Sequence, residues 1–174
     1  MSSESRRGAS EAVIAGTLGR NMLTLTFCAV IGCFSLHTTP PDGWNLVFSE
    51  TFDTPASLER FSFSDPSIWS WAADDGGGMM FSEGSSYTPP YTSPRAIALV
   101  NDLNLDQFVL EASVRQTGRN YAHRDLCFFF ARTSPGRLGY VHLATKPDPS
   151  AHNIFRVFDS DRAAQAPVSD EGID

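Results

Sequence analysis

The sequence predicts an all-β protein, an antiparallel β-sandwich of the jelly-roll type, preceded by an N-terminal signal helix. After residue 43, apolar and polar residues alternate with a period of two in many short segments. Gly- and Pro-containing segments separate these runs at intervals of about ten residues, which is typical of sandwiches and barrels. Beyond residue 40 no stretch keeps the helical period.

The N-terminal apolar run, residues 22–36, is preceded by three arginines and followed by a Pro-containing turn. It is shorter than the about 20 apolar residues that cross a bilayer, and its basic flank is typical of an export signal. We therefore assign residues 1–36 to a cleaved signal peptide or to a lipoprotein signal. The second alternative rests on residues 30–33, which resemble a lipobox in which Cys33 is lipidated. A retained anchor or a buried helix is the third alternative.

The predicted elements follow a short Pro-containing linker, residues 37–43. The first strand alternates strictly, the run at 108–114 is the clearest half-buried strand, and the run at 125–132 is apolar on both faces, as expected of a central strand. One helical turn or a loop is expected at 57–61, and a polar tail without strands at 163–174. The predicted strands are residues 44–52, 68–72, 79–81, 96–100, 108–114, 125–132, 138–145 and 153–158.

Charge and cysteine content limit the classes of partner. The protein has 13 basic and 20 acidic residues, a net charge of -7. An acidic surface disfavours nucleic acid and anionic lipid, so we expect no nucleic-acid partner and membrane contact only through the signal or a lipid anchor. Two of the three cysteines lie in the export segment, which leaves Cys127 without an internal disulfide partner. Its apolar neighbours predict a small buried side chain.

Five segments carry a resemblance to a known group of proteins. Residues 44–162 resemble the concanavalin A-like lectin/glucanase superfamily, and more narrowly its exported, laminin-G-like jelly rolls. The superfamily includes sugar binders and glycan-cleaving enzymes. The resemblance also implies further strands after residue 174, so the jelly roll is expected to be incomplete and the protein to be truncated at its C-terminus. The segments are LVFSETFD (46–53), SPRAIALV (93–100), FVLEASVR (108–115), YAHRDLCFFF (121–130) and YVHLATKPDPSAHNIF (140–155).

An aromatic and histidine-bearing face is expected to bind the ligand. Tyr140, His142 and Ala144 share one face of their strand, and Val141 and Leu143 are expected to face the core. Sugars are held by stacking on rings and by planar hydrogen-bonding side chains. The alternative reading of His142 is a satisfied imidazole on an exposed face, and that of the tryptophan side chains is core packing. The predicted ligand-binding residues are Trp71, Tyr121, Arg124, His142 and His152.

No catalytic residue and no metal site are assigned from the sequence. The paired acids that glycan hydrolysis requires are not evident, and Asp159 and Asp161 come closest to such a pair. The histidine spacings match no zinc pattern, and residues 102–113 lack the Gly and Glu of an EF-hand loop. No cofactor is expected, although jelly rolls often carry a structural calcium ion.

Together these observations predict an exported carbohydrate-binding or surface-interaction module that is secreted, periplasmic or on the cell surface. Its expected partner is a glycan or a cell-surface polysaccharide. A carbohydrate-active hydrolase or lyase fragment is one alternative, and a non-functional truncated product is another.

Overall fold

A computed structural model of the protein describes residues 20–25, 40, 42–74, 77–82, 84–114, 125–168 and 171–172. This part of the protein is built mainly of β-strands, with two short 3-10 helices at Pro55–Arg60 and Pro66–Ile68. None of its helices is both long enough and apolar enough to cross a membrane. The strands are β1 (Arg20–Leu25), β2 (Asn45–Glu50), β3 (Phe61–Phe63), β4 (Trp69–Asp74), β5 (Gly77–Ser82), β6 (Ala98–Val100), β7 (Gln107–Ala112), β8 (Leu126–Ser134), β9 (Arg137–Leu143), β10 (Asn153–Phe158) and β11 (Ala163–Ala164).

The largest sheet has four antiparallel strands in the order β11-β10-β9-β8. A two-residue turn, residues 135–136, joins β8 to β9, as the Ser-Pro-Gly-Arg segment predicts. Pairing places Phe129 and Phe155 on either side of Tyr140, and Cys127 and Asn153 on either side of His142. Since paired residues point to the same face, this register sets two neighbouring rows of side chains across the sheet.

A three-stranded sheet has the order β2-β1-β7, and β1 pairs in parallel with both neighbours. Residues 20–25 of the predicted signal segment, residues 1–36, therefore lie in a strand. The rest of that segment, including Cys33, lies outside the described residues. The signal peptide and its lipidation stay predictions.

Two antiparallel pairs complete the described strands. β3 pairs with β6, and β4 pairs with β5. The short strand β3 is not predicted from the sequence because its three residues are too few to show a period. The prediction of a strandless tail is wrong at its start, where β11 pairs with β10 through Ala163 and Ala164.

Two apolar clusters form the core, and β6 lies between them. Ala98 and Val100 belong to the first cluster, which is centred on Phe52, Phe61 and Trp69. Ile97 belongs to the second cluster, and Leu99 packs against it. Successive strand residues point to opposite faces, so one apolar strand serves both clusters. The buried members of the second cluster are Ile97, Cys127, Phe129, Leu138, Tyr140, Phe155 and Val157.

The face of β9 that the sequence assigns to the core is the wrong one. Tyr140 and Ala144 are 0% exposed and His142 is 6% exposed, whereas Val141 and Leu143 are only half-buried. The neighbouring rings of the second cluster cover the Tyr140 face. The alternative reading of His142 as an exposed imidazole is therefore also wrong.

Candidate functional site

A pocket of about 460 Å³ opens where β8 begins and β9 ends. Its walls also include the segment that precedes β6, the loop between β9 and β10, and Arg162 after β10. We call it the Asp125–His142 pocket after the two ionisable side chains that meet in it. Its lining residues are Gly84, Ser85, Ser93, Pro94, Arg95, Ala96, Asp125, Cys127, His142, Asp148, Ser150, Ala151 and Arg162.

Asp125 and His142 form the centre of the pocket. The Nε2 atom of His142 lies 3.1 Å from Oδ2 of Asp125, and the two side chains are 17% exposed for Asp125 and 7% exposed for His142. The distance would allow a hydrogen bond, but the groups are not aligned for one, and neither ring nitrogen has a hydrogen-bond partner among the described residues. The imidazole also contacts the rings of Tyr140 and Phe155, at centroid distances of 6.2 and 5.9 Å.

Four buried polar atoms of the pocket have no hydrogen-bond partner within the described residues. They are Oγ of Ser93, Oδ1 of Asp125, and Nδ1 and Nε2 of His142. A buried polar group without a partner costs about 1–3 kcal/mol, and such groups in native proteins are usually satisfied by protein, ordered water or a bound molecule. Their convergence on one pocket marks it as the candidate binding site.

The segment 84–96 forms one wall and is fixed by hydrogen bonds rather than by regular secondary structure. Asp65 accepts hydrogen bonds from Ser67 and Ser86, which together lower the pKa of Asp65 to about 2. At its other end, the Thr92 N–H donates to Oδ1 of Asp161 at 2.8 Å. Hydrogen bonding to Thr92 also lowers the pKa of Asp161 from its ordinary value. The wall is thus held at two points by charge-assisted hydrogen bonds.

The opposite wall is the loop between β9 and β10. The side chain of Asp148 accepts from the Ser150 N–H at 2.6 Å, and Asp148 and Ala151 form an isolated bridge. His152 closes this loop, because its Nδ1 accepts from the Ala144 N–H at 3.3 Å. His152 adopts a φ of 53°, a left-handed conformation that few residues other than Gly adopt.

The residues proposed from the sequence do not all meet at one place. His142 lines the pocket. His152 belongs to the adjacent loop and does not line the pocket. Trp71 packs against the first core cluster, and its indole N–H donates to the Phe52 carbonyl at 2.6 Å. Tyr121 and Arg124 lie outside the described residues.

The acids Asp159 and Asp161 are already engaged in structural contacts. Asp159 accepts a hydrogen bond from Nε of Arg137 at 2.6 Å, and Asp161 binds Thr92. The pocket instead contains Asp125 and Asp148. The ligand-binding residues predicted from the sequence do not include Asp125, Ser93, Asp148 or Arg162. Asp148 lies in the same quoted segment as His142, residues 140–155, and this is the signal that could have found it.

Neither a metal site nor a reactive cysteine emerges from the described residues. No group of three or more His, Cys, Asp or Glu side chains there is arranged to hold a metal ion. Cys127 is 1% exposed and belongs to the second cluster, which confirms its predicted burial. The pocket therefore offers polar contacts from serine, carboxylate, imidazole and guanidinium groups.

Comparisons with known proteins were made against family models, curated proteins and solved structures, and none of the three found a match to this protein. The resemblance to the lectin/glucanase superfamily stays a prediction that rests on the sequence segments quoted above.

Proposed function

We propose that this protein is a carbohydrate-binding module that holds a sugar in the Asp125–His142 pocket. The proposal rests on the four unsatisfied buried polar atoms that converge there. A carboxylate oxygen only accepts, whereas a neutral imidazole has one donor and one acceptor. A sugar hydroxyl can donate and accept at once. A hydroxyl of a sugar in the pocket would therefore suit Asp125 and His142, whose facing atoms lie 3.1 Å apart.

The size and walls of the pocket support the same ligand class. A volume of about 460 Å³ lies within the range of small-molecule sites. Ser85, Ser93, Ser150 and the two acids present hydroxyl and carboxylate groups, which suit a polyhydroxylated ligand better than an apolar one. The fixed loops on both sides reduce the entropy lost on binding, since few side chains must be ordered.

The proposal includes the architecture and the compartment. We infer that the strands stack as a jelly-roll sandwich and that residues 1–36 direct export. Mass spectrometry of the mature protein tests the export proposal. A cleaved N-terminus after the apolar run supports a signal peptide, and a diacylglyceryl mass on Cys33 that Cys33→Ser removes supports lipidation. An intact N-terminus in the cytoplasmic fraction contradicts both.

A glycan array with the full-length protein tests the binding function directly. Asp125→Asn removes a half-buried carboxylate from the pocket at nearly constant shape, and Asp42→Asn removes an exposed carboxylate outside it. We expect the wild type and Asp42→Asn to give the same hits, and Asp125→Asn to lose them. Hits that Asp125→Asn retains, or no hit from a protein that melts cooperatively, would contradict the proposal.

A hydrolase or lyase is the second candidate, favoured by the presence of two carboxylates, Asp125 and Asp148, in one pocket. Glycoside hydrolysis uses two acids about 5–10 Å apart. A reducing-sugar assay on each array hit tests it. Release of reducing ends that Asp148→Asn abolishes would establish catalysis, whereas stable binding without release would support the module. A protein without a cooperative melt would favour the non-functional product.

A further inference from the structure

We propose that the sugar carries an acidic group and that Arg162 binds it. This inference rests on the proposed function and specifies its ligand class. Arg162 lines the Asp125–His142 pocket and is half-buried. Its guanidinium lies over the ring of Phe155, at 4.8 Å from the centroid, and its Nη1 donates to the Tyr140 hydroxyl at 3.2 Å. These two contacts fix the guanidinium in place before any ligand arrives.

Within the part of the chain that the structure describes, most donors of this guanidinium have no hydrogen-bond partner. A guanidinium has five N–H donors, and the bond to Tyr140 uses one of them. The nearest acids in the sequence are engaged elsewhere, because Asp159 binds Arg137 and Asp161 binds Thr92. Within the described residues, Arg162 forms no ion pair with a carboxylate.

A carboxylate or sulfate on the ligand would fill this position. Guanidinium groups bind planar carboxylates through two parallel hydrogen bonds, and the contact is stronger when the arginine is preorganised. Asp125 and Asp148 in the same pocket would repel a ligand that carries a negative charge on every sugar unit. The geometry therefore favours a sugar with one acidic group at the Arg162 side and neutral hydroxyls towards Asp125 and His142.

Calorimetric titration with matched sugars tests the inference. The probes are galactose and glucose oligomers that end in a single galacturonic or glucuronic acid, and the fully neutral oligomers of equal length. We expect an acidic oligomer to bind at least about tenfold more tightly than its neutral counterpart, since a charge-assisted contact is roughly twice as strong as a neutral one. Arg162→Gln should remove this preference. Arg156→Gln should keep it, because Arg156 stacks on exposed Phe158 outside the pocket.

The outcomes separate the two proposals. Equal affinity for acidic and neutral oligomers overturns the inference and leaves the binding function intact. A preference for acidic oligomers that survives in Arg162→Gln has the same meaning. Binding of no oligomer overturns both. Arg162→Lys is the control for misfolding of Arg162→Gln. It keeps the positive charge but cannot form the two parallel hydrogen bonds of a guanidinium. We expect it to retain a preference smaller than that of the wild type, and a preference equal to the wild type's would contradict the two-bond contact.

Discussion

His142 and Asp125 meet at 3.1 Å in a pocket wall although they come from different strand ends, and their alignment leaves the imidazole without a hydrogen bond inside the described protein. Cys127 and Asn153 flank His142 in the sheet, and aromatic rings pack against it. We propose that a ligand in the pocket supplies the hydrogen bonds that this imidazole lacks within the described residues.

Replacing His142 with Phe should remove sugar binding with little change in stability. The substitution eliminates two unsatisfied nitrogens but also the 3.1 Å contact with Asp125, so we expect the free energy of unfolding to change by less than about 1 kcal/mol. The matched variant His152→Phe should lower stability, because it removes the acceptor for the Ala144 N–H. Urea unfolding measures both. A marked loss of stability in His142→Phe alone would show that the imidazole is structural.

Phe129→Ala should destabilise the four-stranded sheet strongly. Phe129 is 1% exposed, and its ring lies 5.4 Å from that of Tyr140. Deleting a buried aromatic ring leaves a cavity and costs about 3–5 kcal/mol. Ile154→Ala, on a side chain that is 43% exposed in the same sheet, should cost less than about 1 kcal/mol. Equal losses in chemical denaturation would contradict the placement of the second cluster.

Gly78→Ala should disrupt the contact between Trp71 and Phe52. A Cβ at position 78 would collide with the Phe52 carbonyl oxygen and with Nε1 of Trp71, the two atoms that form this hydrogen bond. A carbonyl oxygen of the backbone, unlike the end of a flexible side chain, is not free to move aside. We expect a lower melting temperature and a changed tryptophan fluorescence. An unchanged spectrum and melt would show that Trp71 is not held there.

Acid should weaken the wall that Asp65 anchors. The hydrogen bonds from Ser67 and Ser86 lower the pKa of Asp65 from 3.8 to about 2 in the folded state. A lowered pKa stabilises the fold above the unfolded value, and this contribution disappears as pH falls from about 3.8 towards 2. Asp65→Asn should thus be less stable than the wild type at neutral pH and approach it in this window. Asp42→Asn should follow the wild type at each pH, and a pH-independent gap for Asp65→Asn would contradict the assignment.

Much of the fold could be predicted because its strands alternate clearly or are long apolar runs. The residues of β7, β8 and β10 and the turn between β8 and β9 follow from period and turn chemistry. β3 and β11 could not be found in this way, since strands of two or three residues carry no period. The parallel pairing of β1 depends on contacts with distant strands, which local sequence does not encode.

The site was only partly predictable for a related reason. His142 stands out in its motif, but alternation alone assigned the wrong face of its strand to the core. Its burial depends on other strands, since Cys127 and Asn153 flank it and the ring of Phe155 contacts it. Ser93 and Arg162 come from segments distant in sequence from His142. Trp71 is predicted to bind a ligand because indole rings stack on sugars. In the structure its indole N–H donates to the Phe52 carbonyl.

Proton NMR of the two described histidines tests the central claim most directly. During titration of the full-length protein with the acidic and neutral oligomers, we expect the His142 ring signals to shift in proportion to bound sugar. The His152 signals should change little, because that ring lies outside the pocket lining and closes a loop. Saturable sugar binding that leaves the His142 signals unmoved would contradict the account.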